Sequence, residues 1–155
     1  MRRWNGWGDE SITYPLPEGA RRYLVAHLGP GMPPQDAVLE EVLAAVPPSR
    51  LPDHPLVVSD PLLRLRHARG QSLPDWIALR SGRIPVFPDG VAFPQTEEEV
   101  RVLLRYAASV GARVIPYGGG TSVVGHINPL PGDRPVLTVS LARMAALHHL
   151  DPEAQ

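Results

Sequence analysis

The chain has 155 residues, 43% of them hydrophobic, which suffices for one soluble domain with a real core. With 15 basic against 16 acidic residues and a formal net charge of −1, it offers no basic excess to displace counterions from a phosphate backbone, which argues against a nucleic-acid partner. The absence of cysteine excludes disulfides, thiolate metal sites and a cysteine nucleophile, and fits a reducing, cytoplasmic setting.

Residues 1–14 read as an extended arm whose glycines space Trp4 and Trp7, aromatic side chains whose simplest role is to bury against the rest of the chain. Gln35 to Val46 reads as an amphipathic helix, with Val38, Leu39, Val42, Leu43 and Val46 on one face and Pro47-Pro48 stopping it. A proline-rich connection runs from Leu51 to Leu56. The next helix is predicted over Leu73 to Arg80, with Ser72 as its cap and Gly82 as its terminator. The 19 prolines concentrate before residue 95, so this part is expected to consist of loops and short elements. Ile84 to Pro88 is the expected boundary between an N-terminal extended and helical segment, residues 1–88, and a second unit, residues 89–155.

The second unit begins with a short strand at Val91-Ala92-Phe93-Pro94. Thr96 caps the helix that follows, with Glu99 three residues on completing a capping box and Glu97 and Glu98 at the positive end of the dipole. Val100, Leu103, Leu104, Ala107 and Ala108 keep the helical period, and Gly111 ends it. Arg113-Val114-Ile115-Pro116 is a strand, so residues 91–116 form a strand–helix–strand unit, and in such units ligands collect at the carboxyl ends of the strands. Beyond the next loop, Asn128 to Arg134 reads as a surface connection and Val136 to Leu141 as a further strand, which together give an α+β fold class. Arg143 to Asp151 carries no clear pattern.

Pro116-Tyr117-Gly118-Gly119-Gly120-Thr121-Ser122 directly follows the second strand of that unit. Without Cβ atoms, successive amides can converge on one anion, and Thr121 and Ser122 add hydroxyl donors at the same mouth. A plain turn is the competing reading, but three adjacent glycines surrender backbone entropy that such a turn need not lose. The spacing fits no Rossmann fingerprint, because Val123 stands where the third glycine should be. Gly120 and Gly125 have P-loop separation, yet His126 and Ile127 replace the required Lys and Ser/Thr, which disfavours a nucleotide hydrolase.

Residues 89–127, from Asp89-Gly90-Val91-Ala92-Phe93-Pro94 through the glycine loop, resemble the first strand–helix–strand and pyrophosphate loop of the FAD-linked oxidases of the vanillyl-alcohol oxidase type, with their PCMH-type FAD-binding domain. Trp4-Asn5-Gly6-Trp7-Gly8 and Arg83-Ile84-Pro85 are similar to the alkyldihydroxyacetonephosphate synthase branch of that family. The resemblance implies that Pro116 and Tyr117 edge the loop, and that Gly118, Gly119, Gly120, Thr121 and Ser122 hold the pyrophosphate of FAD. It implies non-covalent FAD, since the loop from Gly118 to Ser122 has neither histidine nor cysteine, with His126 nearby as the weaker alternative. It covers only the opening portion of a family member, so the FAD-binding domain is expected to be incomplete and the chain inactive alone. Catalytic residues are expected outside it, as is the site for a small-molecule or lipid substrate.

For the complete enzyme the resemblance implies ether-lipid synthesis, in which an acyl group is exchanged for a long-chain alcohol. An FAD-linked 2-hydroxy-acid dehydrogenase shares the loop and stands as the alternative, and a truncated, non-catalytic module as another; homo-oligomerisation is left open. No apolar run reaches membrane-spanning length. His148, His149 and Asp151 lack any recognised ligand spacing, so surface histidines are favoured over a metal site. Ser122 lacks a G-x-S-x-G setting for a nucleophile.

Overall fold

In the computed structural model, residues 3–32, 35–147 and 149–152 are described. Five α-helices, α1 (Glu18–Leu28), α2 (Leu39–Ala44), α3 (Pro61–Arg66), α4 (Leu73–Ser81) and α5 (Glu97–Ser109), accompany four strands, β1 (Val57–Val58), β2 (Gly90–Ala92), β3 (Arg113–Tyr117) and β4 (Val136–Ser140). The result is the expected mixed α+β architecture, built on one four-stranded sheet of order β1-β2-β4-β3. β1 runs antiparallel to β2, whereas β2 and β3 both run parallel to β4.

The predicted strand–helix–strand unit is present as β2-α5-β3, but its strands are not neighbours. β4 enters between them and is buried along its whole length, so α5 crosses over a strand position that the chain fills later. Leu103 and Ala107 of α5 pack on Ala92, Leu137 and Val139 to form one core. A fully buried leucine in such a setting contributes about 1.5–3 kcal/mol. The start of α5 differs from the expected box in one bond. Thr96 Oγ1 accepts from the Glu99 N–H, but the Glu99 carboxylate turns to the N–H of Gln95 at 2.6 Å rather than to that of Thr96.

A second core joins Val42, Leu65, Ala68, Leu79, Ile84 and Phe87, with Trp4 packed against it. Here α4 follows its prediction closely: Ser72 and Asp75 complete a capping box, and Gly82 ends the helix in the left-handed region at φ 68°. α2 is shorter than the expected Gln35–Val46. Asp36 is drawn to Arg80, with Nε–Oδ1 at 2.6 Å, and Ala37 N–H donates to the Arg80 carbonyl, so these residues serve the end of α4 instead of opening a helix.

α3 and α1 carry no prediction above. Asp60 caps α3 by accepting from Leu63 N–H, with Pro61 pre-set at its first position. α1 has no buried residue, and Tyr23, Leu24 and Leu28 stand exposed on it.

The halves on either side of residue 88 are tied together. β1 pairs with β2, Arg64 Nε donates to the Pro88 carbonyl at 2.6 Å, and Arg50 forks onto Asp89 at 2.8 Å through both Nε and Nη2. Among the described residues no helix is long and apolar enough to cross a membrane. His148, considered above as a ligand, lies outside the described residues.

Candidate functional site

Because β2, β3 and β4 run parallel, their carboxyl ends share one edge of the sheet. Phe93 follows β2, the glycine loop follows Tyr117, and Leu141 follows β4. β3 lies at the end of the strand order, where Pro116, which has no N–H to give to a ladder, is tolerated. The buried ring of Tyr117 packs on His67 at 4.5 Å between centroids, and His67 in turn meets the Phe93 ring at 5.5 Å. The Leu63 carbonyl lies 2.7 Å from His67 Nδ1, so this nitrogen carries the proton. The Arg143 guanidinium stands 5.5 Å from the Phe93 ring, which puts a cation on the same edge.

Two kinds of glycine meet in the loop. Gly120 is buried with φ 71°, a conformation that a side chain would strain. Gly118 and Gly119 are exposed and have no positive φ; a Cβ on Gly118 would meet nothing within 4 Å, and one on Gly119 only Thr121 Cγ2 at 3.7 Å. Neither packing nor backbone geometry within the chain therefore demands glycine at 118 or 119. Among the described residues, the backbone N–H groups of Gly118, Gly119, Gly120, Thr121 and Ser122 donate to no acceptor. Successive amides without an acceptor inside the fold suit an anion.

The far side of the loop is firmly held. The Ser122 carbonyl accepts from Gln71 N–H at 2.7 Å, and a Cβ on Gly70 would lie only 2.3 Å from that same oxygen. Asn128 Oδ1 accepts from Gly70 N–H at 2.9 Å, while its Nδ2 donates to Asp75 Oδ1 at 2.7 Å. Asp75, 3% exposed, also accepts from Ser72 Oγ and stands 3.9 Å from Arg69 Nη1. Burial pulls the Arg69 guanidinium below its ordinary pKa, against the opposing pull of Asp75, and an arginine so held keeps its charge beneath the loop.

Loop and N-terminal arm enclose a cleft of about 320 Å³ lined by Gly6, Trp7, Gly8, Gln71, Gly119 and Thr121. The two tryptophans of the arm thus part company: Trp4 packs on the second core, whereas Trp7 remains 62% exposed at this cleft. The turn carrying Trp7 is built, since Arg3 N–H donates to the Gly8 carbonyl and Arg3 Nη2 to that of Ile12 at 2.7 Å.

Of the residues singled out from the sequence, Gly119 and Thr121 face the cleft, Gly118 and Gly120 flank them, and Ser122 approaches His126 Nδ1 at 3.4 Å. Pro116 and Tyr117 stand on the strand behind. Gly70, Gln71, Asp75 and Asn128 carried no local signal, because they join the site only through contacts between distant parts of the chain. Among the described residues no group of three metal-ligating side chains comes together.

With this geometry in view, comparison with known proteins adds the following. Residues 88–155 match the FAD binding domain family. Alkyldihydroxyacetonephosphate synthase of Dictyostelium discoideum is 29% identical over 179 residues, taking in 92% of this chain and 29% of that protein. The mitochondrial D-lactate dehydrogenase [cytochrome] of Arabidopsis thaliana is 38% identical over 61 residues, 39% of this chain and 11% of that one. A solved structure of alkyldihydroxyacetonephosphate synthase superposes with a TM-score of 0.73 at 24% identity, over 97% of this chain and 34% of its own, a likeness of fold. The chain thus spans about a third of the length of the synthases it matches.

Proposed function

We infer that this chain, which carries an FAD-binding domain over residues 88–155 and resembles alkyldihydroxyacetonephosphate synthase along nearly all of its length, supplies the pyrophosphate-binding wall of an FAD site. The observation that carries the reading is the set of unoccupied amides from Gly118 to Ser122 at the carboxyl ends of the three parallel strands. Those amides, with the hydroxyls of Thr121 and Ser122, would hold the diphosphate, while Pro116 and Tyr117 fix the loop's departure from β3. FAD, when bound, supplies the flavin chemistry; the chain's own residues bind and orient it.

The attachment proposed is non-covalent. The loop has no histidine or cysteine, and His126, which follows it, has its Nδ1 facing Ser122 Oγ. Residues 1–88 are proposed as a segment that braces the flavin unit of residues 89–155. As in the synthases it resembles, the complete enzyme would act in ether-lipid formation, exchanging an acyl group for a long-chain alcohol, with catalytic groups and lipid site supplied outside this chain. An FAD-linked 2-hydroxy-acid dehydrogenase is the second reading, favoured by the D-lactate dehydrogenase match.

Titration of the purified protein with FAD tests the site. Wild type is expected to bind FAD. Gly119→Val, which has room for its Cβ but fills the approach to the amides, should weaken binding at least about 100-fold, as expected when two bonds to a charged group are lost. Its thermal midpoint without FAD should stay at the wild-type value. A Gly119→Val protein that binds FAD like wild type would contradict the assignment.

A further inference from the structure

The only side-chain bond that Gln71 makes among the described residues joins its Oε1 to Trp76 Nε1, at 2.7 Å. An indole N–H can only donate, so the amide atom facing it must be the oxygen, and this fixes which way the carboxamide points. The Nε2 amine, with two hydrogens to give, is left over. Gln71 lines the cleft together with Gly119 and Thr121 of the glycine loop, and its main-chain N–H is bonded to the Ser122 carbonyl at 2.7 Å, so the residue is fixed relative to the loop.

We propose that Gln71 is a further cofactor-binding residue, donating from Nε2 to an anionic oxygen of the diphosphate held by the glycine loop, with Trp7 as the facing wall of the cleft. This rests on the reading of the loop as an FAD site. The ligand chemistry follows from the donor set: loop amides, hydroxyls and a carboxamide N–H₂ all give hydrogen bonds, as a phosphate ester requires. The assignment also gives a purpose to the Trp76 bond, which turns an otherwise free amide into an oriented donor.

The test is FAD affinity, read by flavin fluorescence, alongside the thermal midpoint without FAD. Gln71→Glu keeps an oxygen for Trp76 and replaces the donor with a carboxylate facing the diphosphate. It should raise the FAD Kd about 100-fold with an unchanged midpoint, the loss shrinking at high salt as like-charge repulsion is screened. Should that variant fail to fold, Gln71→Met, of similar length without a donor, carries the test and should cost about tenfold. Variants that bind FAD within about twofold of wild type would show that Gln71 serves only to anchor Trp76, overturning the inference and leaving the loop assignment standing. Wild-type protein that binds no FAD would instead overturn the assignment and the inference together.

Discussion

Asp89 shows how a single residue ties β4 to the segment before β2. It is 3% exposed, and its carboxylate accepts from Arg50 N, Nε and Nη2 and from Val136 N–H. Burial alone would raise its pKa, but the Arg50 side chain and the two backbone N–H groups outweigh burial and leave it below the ordinary value. A carboxyl whose pKa is depressed on folding stabilises the native state above its unfolded pKa of about 3.9, and that contribution is lost as the pH falls through the folded value. Asp89→Asn should therefore cost about 2 kcal/mol at pH 7, an estimate kept low because Arg50 is half-exposed, and should flatten the acid limb of stability. Urea denaturation at pH 7 and at pH 3 measures both effects; a variant as acid-sensitive as wild type would place the titration elsewhere.

At the scale of elements, the glycine loop is as much a product of the segment before it as of β3. Gly70 backs directly onto Ser122, and Asn128 bridges Gly70 to Asp75. Gly70→Ala drives a Cβ into a backbone oxygen at 2.3 Å, which cannot yield as a flexible side chain would. FAD affinity should fall by about tenfold or more, with a loss of 1–3 kcal/mol in stability; equal affinity would mean that the loop does not depend on this brace.

The elements legible in the sequence were those with complete local signals, namely α4 and α5 with their caps and β3 and β4 with their β-branched runs. α3 and β1 are too short to show a period. α2 lost its first turn to the Asp36–Arg80 pair, and the position of β4 between β2 and β3 depends on packing that no local window contains. The loop was legible because glycine runs announce themselves. Gln71 was not, because its role appears only once Trp76 and Ser122 are seen around it.

On the scale of the whole molecule, there are two cores, one between the sheet and α5 and one among the short helices, and a cleft whose walls come from residues far apart in the chain. The chain covers about a third of the synthases it resembles. A crystal structure of the protein with FAD tests the central claim most directly. The account predicts diphosphate oxygens about 3 Å from the amide nitrogens of Gly118 to Ser122. A diphosphate bound elsewhere, with those five N–H groups facing solvent, would contradict it.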